Sequence, residues 1–108
     1  MIRVIVVDDS TLMRNVVKDI VESNREFEVV ATAKNGLEAI ELNKELSPDI
    51  ITMDIEMPKM GGLEATKRIM EEHPTRILIL SAFAAKDTIP TLHALRNGAV
   101  DFIQKPSG

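Results

Sequence analysis

Short apolar runs and amphipathic stretches alternate along the whole chain. The runs are Ile2–Val7, Val29–Ala33, Ile50–Met53, Ile77–Leu80 and Phe102–Ile103, and most of their residues are β-branched or aliphatic. Their hydrophobicity is continuous rather than alternating, which suits strands of a parallel sheet buried on both faces. After the first run, Leu12, Met13, Val16, Val17, Ile20 and Val21 recur at helical spacing opposite Arg14, Lys18, Asp19 and Glu22. Ser10 stands where the N-cap of that helix belongs. A second helix is predicted from Gly36 to Leu46, with Leu37, Ile40 and Leu46 inward. A third is predicted from Gly62 to Glu72, with Leu63, Ile69 and Met70 inward. A fourth begins near Asp87, takes Pro90 in its first turn and stops before Asn97-Gly98. Strands alternating with helices through right-handed crossovers give a three-layer α/β sandwich.

The pattern closes unevenly. The last strand runs into Lys105-Pro106-Ser107-Gly108 and the sequence stops there, so five strands meet four helices. We expect a fifth helix to be missing, through truncation at the C-terminus or because the domain continues into another. The sheet flank near the first helix should then expose Val and Ile side chains, which invites dimerisation.

Composition narrows the class. A length of 108 residues fits one domain, 1–108, and 44% hydrophobic residues can build its core without staples. With three Phe and no Trp or Tyr, that core must be aliphatic. The absence of Cys excludes a disulfide framework and thiolate metal ligation. A net charge of −4 argues against direct binding to nucleic acid. No signal peptide and no stretch of membrane-spanning length occurs, so the expectation is a cytoplasmic domain without membrane contact.

The chemistry gathers at strand ends. In an open α/β sheet, ligands bind outside the carboxyl ends of the strands. Asp8 and Asp9 end the first strand, Asp54 the third, Ser81 the fourth and Lys105 the fifth. Three carboxylates brought together repel and raise one another's pKa. A hard divalent cation removes that repulsion, and oxygen-only ligands favour Mg²⁺ (or Mn²⁺) over zinc. Such an ion bridges to a phosphoryl oxygen and leaves a carboxylate free to attack phosphorus. The product is an acyl phosphate, whose added charge Lys105 and the Ser81 hydroxyl can meet.

Each residue alone has a plainer reading. Acidic pairs commonly cap a following helix, a Ser after a strand is usually a turn residue, and Phe102 fits a core. Gly61-Gly62 reads as a loop turning into the third helix, and the Glu56 side chain as solvated. His73 and His93 do not neighbour the cluster, so a phosphodonor histidine would belong to a partner. Convergence is what favours the chemical reading.

The same residues carry a family resemblance. Val7-Asp8-Asp9-Ser10, Asp54-Ile55-Glu56-Met57-Pro58 with Gly61-Gly62, Leu80-Ser81-Ala82, and Gly98-Ala99 followed by Asp101-Phe102-Ile103-Gln104-Lys105-Pro106 resemble the response-regulator receiver domain across essentially the whole chain. The resemblance implies a flavodoxin-like (CheY-like) five-stranded parallel sheet of order 2-1-3-4-5. It implies Asp54 as phosphoacceptor, and Asp9, Asp54 and the Glu56 backbone carbonyl as metal ligands, with Asp8 just outside or acting through water. It implies Ser81 and Phe102 as switch residues, and a cis Lys105–Pro106 bond that aims Lys105 into the site. A histidine kinase (CheA-like) is the implied phosphodonor, and an output domain or protein the implied partner.

A narrower resemblance joins Asp9-Ser10 with Leu12-Met13-Arg14, the Asp54-Ile55-Glu56-Met57-Pro58 run, and Gly98-Ala99-Val100-Asp101-Phe102 with the closing Lys105-Pro106-Ser107-Gly108. These are similar to the regulatory domain of chemotaxis protein-glutamate methylesterases. The chain itself offers no esterase residue to assign, only self-phosphorylation and dephosphorylation. A stand-alone CheY-like receiver acting on a separate partner is the alternative. An aspartate-nucleophile phosphatase of the haloacid-dehalogenase kind fits less well, because Asp8-Asp9-Ser10 breaks the Asp-x-Asp pattern. A flavin-binding protein lacks its phosphate loop and stacking aromatics.

Overall fold

The computed structural model describes residues 1–81, 96–99 and 101–106. Five strands, β1 (Ile2–Val7), β2 (Phe27–Ala33), β3 (Ile50–Asp54), β4 (Arg76–Ser81) and β5 (Asp101–Gln104), form one sheet of order β2-β1-β3-β4-β5. All four strand pairings are parallel. Three helices, α1 (Thr11–Glu22), α2 (Gly36–Leu46) and α3 (Gly62–Glu72), cross over between them. The expected order and the bounds of α2 and α3 are as the sequence pattern gives them. β1 keeps its expected bounds, and the other four strands run one or two residues longer, because ladder pairing recruits polar ends such as Asp54 and Ser81. The expected fourth helix, with Pro90 and His93, lies outside the described residues; Gly98 at its expected end has φ +109°, the left-handed backbone that a helix stop needs.

The strand period of two sorts the core onto the two faces. Ile5, Val7, Ile51, Met53, Ile77, Ile79 and Phe102 pack with Ala39, Ile40, Ala65 and Ile69 of α2 and α3. Val4, Val6 and Leu80 point the other way and meet Val17 of α1. Register keeps these layers aligned, with Ile51 opposite both Ile5 and Ile77, and Ile79 opposite Phe102.

Helix orientation corrects two expectations. Leu37 is 46% exposed, because α2 turns Gly36, Ala39, Ile40 and Asn43 inward and Leu37 lies off that stripe. Leu12 is 67% exposed, since α1 packs through Met13, Val17 and Val21, one residue every four. The buried polar residues went unforeseen. Asn43 donates through Nδ2 to the His73 carbonyl (2.9 Å), and its Oδ1 accepts from the Thr75 hydroxyl (2.7 Å). That triangle ties α2 to the end of α3 and the start of β4, at the opposite end of the sheet from the acidic residues.

The face beneath α1 is partly open. Val17, Ile20, Val21, Leu78, Leu80 and Ile103 line an apolar groove of about 320 Å³, and Ile20 and Ile103 are exposed. Of the Val and Ile side chains expected to be bare near the first helix, Ile20 and Ile103 are exposed, whereas Val17 is buried.

Truncation should separate the two kinds of apolar residue. Ile69→Ala, in the packed layer, should lower unfolding free energy by roughly 2–5 kcal/mol. Leu12→Ala should change it by less than about 0.5 kcal/mol in the same denaturant titration. A large loss from Leu12→Ala would contradict the α1 orientation.

Candidate functional site

The ends of three strands deliver the site. β1 gives way at once to Asp8-Asp9-Ser10, and α1 begins at Thr11 with the Ser10 hydroxyl accepting from the Met13 amide at 3.2 Å. Asp8 is almost wholly buried and tightly held. Its amide donates to the Ala33 carbonyl (3.0 Å), and its Oδ1 accepts from the Ser10 amide (2.9 Å). Asp9, next in the chain, is exposed. Asp54 closes β3 at 6% exposure, its Oδ1 accepting from the Ile55 amide at 2.9 Å. Oxygens of Asp8, Asp9 and Asp54 lie within 4.8 Å of one another.

Lys105 joins the set from β5. Its Nζ stands 2.8 Å from Asp8 Oδ2 and 3.1 Å from Asp54 Oδ1. Its amide donates to the Ser81 carbonyl at 2.7 Å, which locks the ends of β4 and β5 together. No described peptide bond is cis, so the expected cis Lys105–Pro106 bond is absent. The backbone hydrogen bond to the Ser81 carbonyl and the two ion pairs aim the side chain instead.

Charge balance explains the titration behaviour. Burial pushes Asp54 from its ordinary 3.8 up to about 6; the Lys105 hydrogen bond opposes this, and Asp8 and Asp9 reinforce it. Burial alone would lower Lys105, but its bonds to Asp8 and Asp54 and their charges carry it upward. The two directions look contradictory for an ion pair, where each partner should favour the other's charge. They agree once burial is counted: desolvation outweighs the single ammonium at Asp54, with Asp8 and Asp9 adding repulsion, while Lys105 has two carboxylates to offset its own burial. A second cation would relieve that repulsion. The donor set is all oxygen, part buried and part open, which fits a hard divalent ion.

The remaining predicted residues divide. Ser81 is buried at the end of β4 beside Lys105. Phe102 is also buried, opposite Ile79 in the packed layer and three residues before Lys105. The Glu56 side chain is exposed, as expected. His73 sits far off, capping α3 and meeting the Ser47 hydroxyl at 3.2 Å.

Two contributors were missed. Gly62 brings the start of α3 against the back of the site: its amide donates to the Ile55 carbonyl at 2.7 Å, and a Cβ there would lie 1.9 Å from the Asp54 carbonyl oxygen. Arg14 reaches back from α1 to the Asp8 carbonyl at 2.7 Å. Gly61-Gly62 and Leu12-Met13-Arg14 both stand in the runs that carry the resemblance, but nothing in the sequence shows the close approach of Gly62 or the backbone partner of Arg14.

Substitution at Asp54 gives a direct check. The native carboxyl keeps its proton to about pH 6, and the unfolded one releases it near 3.8. Between those values the native state binds more protons, so stability of the metal-free protein falls as pH rises through that window and stays lower above it. Asp54→Asn should remove that fall and raise stability at pH 7–8 by on the order of 1–2 kcal/mol. Thermal melts from pH 4 to 8 should diverge above pH 5; parallel curves would contradict the buried-charge account.

Comparisons with known proteins agree with this geometry. The family model described as the response regulator receiver domain matches residues 4–108. A protein-glutamate methylesterase/protein-glutamine glutaminase of Methanococcus maripaludis is 60% identical over 107 residues, 99% of this chain and 29% of that protein. The crystal structure of the response regulator domain of Thermotoga maritima CheB superimposes with a TM-score of 0.95 at 56% identity, covering 100% of this chain and 81% of that one. A CheX-CheY-BeF₃-Mg²⁺ complex from Borrelia burgdorferi gives 0.87 at 34% identity, over 99% of this chain and 80% of its own. The chain spans less than a third of the length of the curated relatives it matches.

Proposed function

The chain belongs to the response regulator receiver domain family of two-component signalling, and we propose that Asp54 is the residue on which it accepts a phosphoryl group. The observation that carries the reading is the shared Lys105 ammonium, bonded at once to Asp8 and Asp54. Asp54 Oδ1 holds both the Ile55 amide and Lys105, which leaves Oδ2 as the attacking oxygen. As its bond to phosphorus forms, the P–N bond of a kinase phosphohistidine breaks, and the imidazole nitrogen keeps the electron pair and takes up a proton. Lys105 then turns from Asp54 toward a phosphoryl oxygen, and the Ser81 hydroxyl meets another.

Asp9, Asp54 and the Glu56 carbonyl would hold Mg²⁺, with Asp8, bonded to the Ser10 amide and Lys105, acting from just outside or through water. When bound, the ion neutralises the carboxylate surplus and the charge developing on the phosphoryl group. Phe102 is already buried. The switch we read is therefore a bias toward this inward position, with outward excursions in the unphosphorylated chain.

The wider assignment follows the relatives. We read this chain as the regulatory domain of a chemotaxis protein-glutamate methylesterase, phosphorylated by a CheA-like histidine kinase in the cytoplasm. Its phosphorylation would hold or release the catalytic domain. Among the described residues no helix is long and apolar enough to cross a membrane.

Incubation with a small phosphodonor should label the wild-type protein only when Mg²⁺ is present, and chelation should abolish labelling. Asp54→Asn should reduce incorporation to background; equal labelling of that variant would refute the assignment. Calorimetric Mg²⁺ titrations should show affinity falling about ten-fold per unit below about pH 6, where Asp54 holds its proton. Affinity independent of pH between 5 and 7 would exclude Asp54 as a ligand.

A further inference from the structure

We propose that Arg14 is a positioning residue for the acidic site: it fixes the Asp8–Asp9 peptide so that the exposed Asp9 carboxylate is held ready for a divalent cation. The inference rests on reading the cluster as a Mg²⁺ site and extends it to a residue outside that cluster.

Arg14 lies in the first turns of α1, where its positive charge opposes the helix dipole. A cation there needs local partners, and it has two. Nη1 donates to the Asp8 carbonyl at 2.7 Å, and Nη2 to the Thr11 hydroxyl at 3.0 Å. The fork thus spans from the helix start back to the end of β1.

The Asp8 carbonyl matters because it belongs to the peptide that carries Asp9. Rotating that peptide changes Asp8 ψ and Asp9 φ together, and so swings the Asp9 side chain. The Asp8 amide is tied to Ala33, its Oδ1 to the Ser10 amide, and its Oδ2 to Lys105. The Ser10 hydroxyl is tied to the Met13 amide. In this three-residue loop the Asp8 carbonyl is held by Arg14, and the Asp9 carboxylate is the exposed group. Remove the guanidinium and the Asx-type bond from the Ser10 amide to Asp8 Oδ1 still closes over that peptide, but its carbonyl loses the charged donor that holds its tilt.

Charge and geometry predict opposite outcomes, which makes the proposal decidable. Were Arg14 only a nearby cation, deleting its charge would tighten Mg²⁺ binding by removing repulsion. As a clamp, its loss should weaken binding. Calorimetric Mg²⁺ titration of the whole chain is the test, with Arg14→Met and Arg14→Lys beside wild type. Both variants should bind roughly ten-fold more weakly, the range reached by residues that orient metal ligands, because Lys keeps the charge but lacks the fork. Metal-free melting temperatures should stay close to wild type. In an Asp9→Asn background Arg14→Met should cause no further loss, since the clamp acts through Asp9. Arg14→Lys carries the test if Arg14→Met fails to fold. Tighter binding by Arg14→Met, or wild-type affinity in Arg14→Lys, overturns the inference while leaving the metal reading intact. Wild-type protein that takes up no Mg²⁺ overturns both.

Discussion

The rest of the structure depends on one ammonium group placed between two buried carboxylates. Lys105 reaches Asp8 and Asp54 from a different strand, and the three strands involved are not neighbours in sequence. Bringing Asp8 and Asp54 together without it would bury like charges side by side, at a cost of several kcal/mol in a partly desolvated setting. With it, the cluster is tolerable, yet burial first and the neighbouring Asp8 and Asp9 second still hold the Asp54 carboxyl above its ordinary range. That residual cost is the useful quantity. A fully neutralised site would have no call for a second cation, and an unneutralised one would leave two buried carboxylates facing each other.

Everything else serves to hold those ends in place. Parallel pairing in the order β2-β1-β3-β4-β5 puts β1 and β3 side by side at the centre, where their carboxyl ends meet. Aliphatic layers on both faces fix the register, so Asp54 falls beside Leu80 and Ser81 beside Gln104. The hydrogen bond from the Lys105 amide to the Ser81 carbonyl then sets the last strand's end. Gly62 lets α3 start directly behind Asp54, where any side chain would collide with its carbonyl.

Much of this was legible in the chain. Continuous apolar runs marked the strands, and polar residues at their ends marked the site, because a doubly covered parallel sheet leaves few other places for charge. What the pattern could not give were choices made by packing. Leu12 and Leu37 carry the same hydrophobicity as buried neighbours, but helix phase turns them outward. Asn43 looks like a surface residue, yet it lies in the core because the His73 carbonyl and Thr75 hydroxyl satisfy it. Arg14 was invisible for a related reason: its partner is a backbone carbonyl, which no side-chain pattern reveals.

The central claim is that the under-neutralised carboxylate, Asp54, is the one that takes the phosphoryl group. Peptide mapping by mass spectrometry, after exposure to a small phosphodonor and Mg²⁺, tests it most directly. The account predicts a single added phosphoryl mass on the peptide containing Asp54, lost on brief treatment with hydroxylamine as an acyl phosphate should be. A phosphoryl group mapped to Asp8, Asp9 or Ser81, or one that survives hydroxylamine, would contradict it.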